Sequence, residues 1–337
     1  MKAREGDIVE NTEGFMFDVK GFIHPSSRVI AFVRYFPDAQ GERRRNGQRY
    51  SKIYSLSDRI RLIETRFPSY IAADKVFDEV LCEVPENEVQ KVYTPIDALA
   101  HLREENNPDA LQTRVLQMAD LLKEEARIEW SSLGVSGSVM VGLHNSSSDI
   151  DLLIYGSENC RRVQTVLSKE LGVGMRGLRR LTPSELRTLF EFRSKDNAGS
   201  FEDFVHAEAR KTCQGKFHGT DYFIRFVKDW NELHETYGEI QYRNAGYGAF
   251  EGTVTDDSEA LFTPCAYTIE SAKPIGNLAI DEVSEIVSFR GRFCEQALTG
   301  EAIIAQGKVE EVIPKDERDY FRLLLGNRPS DYMILKH

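Results

Sequence analysis

The sequence has few cysteines, and none of them has a close partner. Only five are present among 337 residues, they lie far apart, and no two form a CxxC pair. Zinc knuckles and the disulfide frameworks of small secreted proteins need closely spaced or numerous cysteines, so neither is expected. This cysteine usage fits a reducing compartment, and we predict a cytoplasmic protein.

Long apolar runs are also missing. The N-terminus is polar, and no apolar stretch approaches the roughly 18 residues that a membrane-spanning helix needs. We therefore expect no signal peptide, no membrane anchor and no membrane partner.

Positive charge is in deficit. Lys and Arg number 43 against 54 Asp and Glu, which gives a formal net charge of −11. The mean surface field therefore repels polyanions, and any contact with a nucleic acid must be local.

The chain is long enough for more than one domain, since typical domains have about 100 to 200 residues. No internal repeat or low-complexity tract is present. Two changes in pattern divide the sequence. We predict an α+β fold with an N-terminal α+β domain (1–105), a central core (106–232) and a C-terminal, mostly β domain (233–337).

Periodicity predicts the elements of each domain. In the N-terminal domain, the alternation within 14–55 indicates a hairpin, and capping residues precede helices at 57–67 and 94–102. The core begins with a long helix at 109–128, followed by strands at 133–138, 149–156 and 220–227. Three helices, at 160–171, 183–193 and 200–211, precede the last strand. From 238 onwards, short strands between turns, the first two at 238–243 and 251–256, indicate a small β-barrel or sandwich with an aromatic interior.

Two carboxylates mark the most informative stretch of the core. Asp149 and Asp151 are two residues apart in an apolar segment, so in a strand their side chains project from the same face. Such a pair can bind hard divalent cations and would be repulsive without them. Upstream, Gly137 and Ser138 end a strand at a turn, where backbone amides and a hydroxyl can approach a phosphate. Without that turn, the two acids would indicate only a solvated strand end.

Gly137-Ser138, followed by Ser148-Asp149-Ile150-Asp151-Leu152, resembles the signature of the DNA polymerase β-like nucleotidyltransferase superfamily. The spacing between the two halves matches without a gap, and the resemblance covers roughly residues 108–230. It implies a mixed sheet with helices on one side. It also implies Mg²⁺- or Mn²⁺-dependent transfer of a nucleoside monophosphate from an NTP, with pyrophosphate as the leaving group. The outer segments look like those that flank uncharacterised archaeal members.

The resemblance implies three metal ligands. Asp149 and Asp151 would bind both metal ions. The third carboxylate of the family best matches Asp221, which would bind the catalytic metal and help to deprotonate the acceptor. Asp229 is the alternative third ligand.

Nucleotide contacts follow from the same resemblance. Gly137, Ser138 and Ser148 would contact the nucleotide. Many members carry an arginine at the position of Val141, where it contacts the triphosphate, so another cation must take that role in this chain. The sequence does not choose among the nearby polar residues, of which we retain Lys211 as nucleotide-binding: His144, Asn145, Arg210, Lys211 and Lys216.

Two alternatives stay open. RNA ends, proteins and small alcohols are all acceptors in this superfamily. The basic run Arg43–Arg45, with Arg49 and Lys52 near Tyr50 and Tyr54, favours RNA, although a solvated hairpin tip explains the same run. The alternative function is a catalytically degenerate protein of the same fold that binds RNA or protein, which the missing arginine at Val141 supports.

Overall fold

The computed structural model describes residues 1–174, 176–193, 200–277 and 280–336. In these ranges the chain forms helices and three β-sheets, which confirms the predicted α+β class. The predicted boundaries at 105/106 and 232/233 fall between successive sheets. Backbone contacts divide the chain into two compact units. One comprises Met1–Asp74, Val80–Arg179 and Gln214–Tyr237, and the other comprises Lys75–Glu79, Arg180–Cys213 and Gly238–His337. The first two sheets therefore belong to one unit.

The first sheet has eight strands in the order β4-β5-β3-β2-β1-β8, with β7 pairing with both β3 and β6. Its interior is an apolar cluster centred on β2, β3 and β7. The strands are β1 Ile8–Asn11, β2 Met16–Val19, β3 Arg28–Pro37, β4 Arg43–Arg45, β5 Gln48–Lys52, β6 Ile71–Asp74, β7 Glu79–Pro85 and β8 Val89–Tyr93.

Three capped helices accompany the first sheet and lead into the second. The side chains of Ser55, Thr94 and Asp109 accept hydrogen bonds from the first-turn amides of α1 Leu56–Arg66, α2 Pro95–Glu104 and α3 Ala110–Ala126. Such caps satisfy amides that have no partner within the helix. The three helices predicted at 57–67, 94–102 and 109–128 are thus confirmed to within two residues at each end.

The second sheet has five strands in the order β11-β12-β13-β10-β9. It is mixed, because β10 and β13 are parallel while the other pairs are antiparallel. Helices α3 and α5 pack against β10. The elements after α3 are β9 Leu133–Val135, α4 Gly137–Met140, β10 Ile150–Tyr155, α5 Ser157–Val173, β11 Leu178–Arg179, α6 Pro183–Arg193, α7 Phe201–Glu208, β12 Gln214–Phe217 and β13 Thr220–Val227.

Alternation along β10 separates two environments. Ile150 and Leu152 point to one face, whereas Asp151 and Leu153 point to the other. Leu153 packs in an apolar cluster with Phe22, which precedes β3. The face that carries Asp151 is therefore the one covered by the N-terminal part of the chain.

The third sheet closes into a barrel. Strand β14 pairs with both β15 and β17, so the order β14-β15-β16-β18-β17 returns to β14, while β19 adds to β17. This confirms the barrel among the two predicted alternatives. Its core includes Tyr267 and Phe293. The strands are β14 Ile240–Asp256, β15 Cys265–Ile275, β16 Glu285–Ser288, β17 Ala302–Pro314, β18 Tyr320–Leu325 and β19 Tyr332–Leu335.

One strand prediction in the barrel was wrong. Separate strands were predicted at 238–243 and 251–256, but β14 runs through both. Its register shifts between Asn244 and Gly246, and Gly246 has a φ of +117°. The glycines therefore mark a bulge within a continuous strand rather than a turn between two strands.

All five cysteines are buried free thiols. Among the helices in the described ranges, none combines the length and the apolar character that crossing a bilayer requires.

Candidate active site

The glycine turn lies directly against one of the two carboxylates. The amide of Ser136 donates to the carbonyl of Asp151 at 2.8 Å, which joins β9 to β10. Gly137 follows with a φ of +62°, and a Cβ placed there would lie only 2.0 Å from Oδ2 of Asp151. Only glycine fits this position, because both the backbone conformation and the carboxylate exclude a side chain.

Among the described residues, Asp149 and Asp151 form no ion pair. Asp149 directly precedes β10, Asp151 is its second residue, and both side chains are half-buried. No lysine, arginine or histidine nitrogen of the described residues lies within 4.0 Å of either carboxylate. Burial and the neighbouring charge of Asp149 raise the pKa of Asp151 to about 7. A close acid pair without a cationic partner is the arrangement that a bound divalent cation stabilises.

Three cations nevertheless act on Asp151 from a longer distance. Lys52 has the largest effect, and Arg225 and Arg34 follow. Both Asp149 and Asp151 act in turn on Lys52, although burial and Arg34 lower its pKa to about 8. The site therefore combines a carboxylate pair with three cations that lie beyond direct contact, a charge pattern that suits a metal-bound polyphosphate.

Val141, the position of the missing arginine, is covered by the first sheet. Its side chain packs in an apolar cluster with Ile8, Met16 and Tyr35. Arg45 also donates to the Val141 carbonyl, at 3.4 Å. An arginine at this position would have to bury its charge beneath the sheet, which is unfavourable. The packing of the first sheet therefore explains why the residue is apolar.

Ser138 and Ser148, both predicted to contact the nucleotide, have different surroundings. Ser138 is buried in α4, and none of the described residues is hydrogen-bonded to its hydroxyl. The Ser148 hydroxyl accepts from the amide of Asn145 at 3.0 Å and from Arg43 at 3.3 Å. Ser148 therefore holds the turn before Asp149 in place, and Asn145 belongs to the same turn.

Asp221, the predicted third ligand, does not join the other two acids. The β10–β13 ladder pairs Ile150 with Tyr222, so Asp221 and Asp149 are the residues just before the ladder on neighbouring strands. However, the Asp221 side chain is 62% exposed and forms an ion pair with Lys216 at 3.0 Å. Within the described ranges, no group of three or more His, Cys, Asp or Glu side chains is placed to hold a metal ion. The structure thus offers two carboxylates at the site instead of three.

The remaining polar candidates are engaged elsewhere. Lys211 is 2% exposed, and its ammonium donates to Glu208 at 2.7 Å and to the carbonyl of Arg292. Arg210 forms a bidentate pair with Glu301 at 2.6 and 2.7 Å. His144 contacts Asp109 at 2.7 Å. Asp229, the alternative third ligand, caps a short turn and contacts Arg4. Buried and paired with Glu208, Lys211 does not meet the expectation of a nucleotide contact.

The basic hairpin of β4 and β5 is neither a fully exposed basic surface for nucleic acid nor a wholly solvated tip. Arg43 is buried and donates to the carbonyl of Leu143 at 2.5 Å. Arg45 forms a bidentate pair with Glu10. Only Arg44 and Arg49 of the run are exposed. The hairpin instead anchors the first sheet to the loop after α4.

Arg34 and Arg225 are site residues that the sequence did not reveal. Arg225 is the single cation of β13, Arg34 is the second of two arginines in the mostly apolar β3, and neither belongs to a recognisable motif. Arg225 pairs with the buried carboxylate of Glu5 at 2.9 Å. Arg225 lies on β13, the strand that pairs with β10, two residues beyond Phe223, the partner of Asp151. Arg34 comes near Asp151 through the packing of the first sheet on the second, which no local pattern encodes.

Comparison with known proteins gives one extensive similarity. The uncharacterized protein MJ1086 of Methanocaldococcus jannaschii is 31% identical over 334 residues, which span 97% of this chain and 96% of that protein. No family model matches the chain. No solved structure matches it either. The similarity therefore covers nearly the whole chain and is not confined to the second sheet.

Proposed function

The chain belongs to the family of the uncharacterized protein MJ1086, and we propose that it is a metal-dependent nucleotidyltransferase. The reaction would move a nucleoside monophosphate from an NTP to an acceptor hydroxyl or phosphate and release pyrophosphate. One observation carries this proposal: the carboxylate of Asp151 lies so close to Gly137 that a Cβ at this position would clash with it, and a second acid, Asp149, is two residues away.

The residues of the site fit Mg²⁺ or Mn²⁺. Asp149 and Asp151 supply carboxylate oxygens, which are the ligands that Mg²⁺ prefers. Mg²⁺ is commonly held by one or two protein carboxylates together with substrate phosphates, so two acids suffice. When bound, the metal would neutralise charge on the reacting phosphate and orient it for in-line attack.

The chain's own residues would then position the substrates. The Ser138 hydroxyl, which no described residue engages, is available to a phosphate oxygen. Lys52, Arg34 and Arg225 would offset the negative charge that collects at the acid pair. Asp221 keeps its predicted role in deprotonating the acceptor only if substrate binding releases its carboxylate from Lys216.

We propose RNA as the acceptor and the cytoplasm as the location. The support for RNA is local, since Arg44 and Arg49 remain exposed on a chain of net negative charge. The competing function, a degenerate scaffold that binds RNA or protein, is supported by Val141 and by the absence of Asp221 from the acid pair.

Transfer of label tests the proposal. The protein would be incubated with each of the four NTPs, labelled at the α-phosphate, with Mg²⁺ or Mn²⁺ and cellular RNA. We expect labelled product with the wild type and a loss of at least about 100-fold with Asp149→Asn or Asp151→Asn. Asp120→Asn, which removes an exposed acid of α3, is the matched control and should keep activity. Label transfer by Asp149→Asn at the wild-type rate would refute the site. A wild type that transfers no label from any NTP but binds RNA would favour the scaffold.

A further inference from the structure

The cations that act on the acid pair differ in whether the protein already uses them. Arg225 is paired with Glu5 at 2.9 Å, and Glu5, Asp18 and Asp151 hold its pKa above the ordinary value although burial opposes its charge. By contrast, no acid among the described residues lies within 4.0 Å of Lys52 or Arg34. Within the described part of the chain, two cations without an ion-pair partner therefore act on two acids that also lack one.

Unpaired charges of both signs in one half-buried site are unfavourable unless a ligand lies between them. The two kinds of charge would bind different parts of one ligand, because the acids can hold a divalent cation while the basic residues can hold anionic oxygens. A metal-bound polyphosphate combines a divalent cation with anionic phosphate oxygens. It would satisfy all four side chains at once.

Lys52 and Arg34 also occupy neighbouring places on the first sheet. Lys52 pairs across the sheet with Tyr35, the residue after Arg34. The ammonium of Lys52 lies 5.0 Å from the ring centre of Tyr54, and the guanidinium of Arg34 lies 5.5 Å from the same ring. The Tyr54 side chain is 51% exposed. The two cations thus lie beside one exposed ring, which follows the end of β5.

The same sheet explains why no arginine follows the glycine turn. It covers Val141 with apolar side chains, among them Tyr35, and the ammonium of Lys52 lies 6.0 Å from the centre of the Tyr35 ring. The sheet therefore brings Lys52, from a distant part of the sequence, to the segment that carries the acid pair, where Asp149 and Asp151 act on it. We propose that Lys52 and Arg34 bind the triphosphate of the nucleotide whose metal is held by Asp149 and Asp151. This inference rests on the proposed function and assigns the cation that the core motif lacks.

Binding of nucleotide to the full chain tests this assignment. Equilibrium dialysis with labelled NTPs in Mg²⁺ would compare the wild type with Lys52→Met and Arg34→Met. Inorganic tripolyphosphate would serve as competitor. Since contacts to charged groups are strong, we expect each variant to weaken NTP affinity by roughly 10- to 100-fold. Tripolyphosphate affinity should fall by the same factor, because the lost contact is to phosphate and not to the base.

Two further variants keep the test sharp. Lys91→Met is the matched control, because Lys91 is an exposed lysine of the first sheet that lies 4.4 Å from the Tyr93 ring, and it should bind as the wild type does. Lys52→Arg retains the charge and should restore most of the affinity, which a merely structural defect would not allow.

The outcomes separate this inference from the proposed function. Wild-type affinity in both Lys52→Met and Arg34→Met overturns the assignment even if label transfer occurs. Weakened binding in Lys52→Met, rescued by Lys52→Arg, supports it even if no acceptor is labelled. A wild type that binds none of the four NTPs with Mg²⁺ or Mn²⁺ overturns it as well.

Discussion

Replacing Gly137 with alanine is the most informative single change. The added Cβ would lie 2.0 Å from Oδ2 and 2.9 Å from Cγ of Asp151, whereas ordinary contacts begin near 3.4 Å. The carboxylate must therefore move by about 1 Å or more, and a displacement of that size at a catalytic centre lowers turnover by roughly 100-fold. The φ of +62° adds a backbone cost of roughly 1–2 kcal/mol for any L-residue.

Gly142 provides a control in the same loop. It has nearly the same backbone conformation, with a φ of +67°, but a Cβ there would meet nothing closer than 3.7 Å. Gly142→Ala should therefore carry the backbone cost alone. Comparing the two variants separates strain in the loop from displacement of Asp151.

The assay combines unfolding and label transfer. We expect both variants to lose roughly 1–2 kcal/mol of unfolding free energy in denaturant titrations. Only Gly137→Ala should also lose transfer activity and Mn²⁺ affinity. If Gly137→Ala and Gly142→Ala transfer label equally well, contact between the glycine turn and Asp151 has no catalytic meaning and the site assignment fails.

Three other predictions follow from charges in the first compact unit. In EDTA, Asp151→Asn should raise the unfolding free energy by on the order of 1 kcal/mol, because the charge of Asp149 no longer faces a second acid. A destabilised variant would contradict this. Burial lowers the pKa of His24 from its ordinary 6.5 to about 4, so the unfolded chain binds the proton more readily between these values. Stability should therefore fall by up to about 3 kcal/mol as pH drops through that window, a slope that His24→Gln should lack in pH-dependent denaturation. Asp221→Asn should lower stability by less than about 1 kcal/mol, since its pair with Lys216 is exposed, and should keep NTP binding. Loss of transfer equal to that of Asp149→Asn would restore Asp221 as a metal ligand.

Local sequence patterns were sufficient for β10, β13 and the helices between them. The predicted helix at 183–193 is α6 and the predicted strand at 220–227 is β13, residue for residue. Both are bounded by strong signals, a proline at the start of α6 and a glycine before β13. In β14 a glycine led to a wrong prediction, that of a turn between two strands. Gly246 can form a bulge as readily as a turn, and only the pairing with β17 decides between them.

The site was predictable only in part, for a comparable reason. Asp149, Asp151 and Gly137 lie in one short stretch, so spacing alone brings them together. The cations Lys52 and Arg34 lie far from this stretch in the sequence. They come near the acids only because the first sheet packs on the second, and neither segment contains a pattern that predicts this packing. Lys211 and Arg210 were candidates for the triphosphate contact because they precede the Asp221 strand in the sequence. In the structure Lys211 forms an ion pair with Glu208 and Arg210 forms one with Glu301.

Binding of Mn²⁺ tests the central claim most directly. Crystals of the full chain soaked with Mn²⁺ and a nonhydrolysable NTP would locate the metal by its anomalous scattering. We predict a peak between the carboxylates of Asp149 and Asp151, beside Gly137, which disappears in Asp151→Asn crystals. Mn²⁺ bound elsewhere, or no metal at the acid pair although the nucleotide is bound, would contradict the proposal.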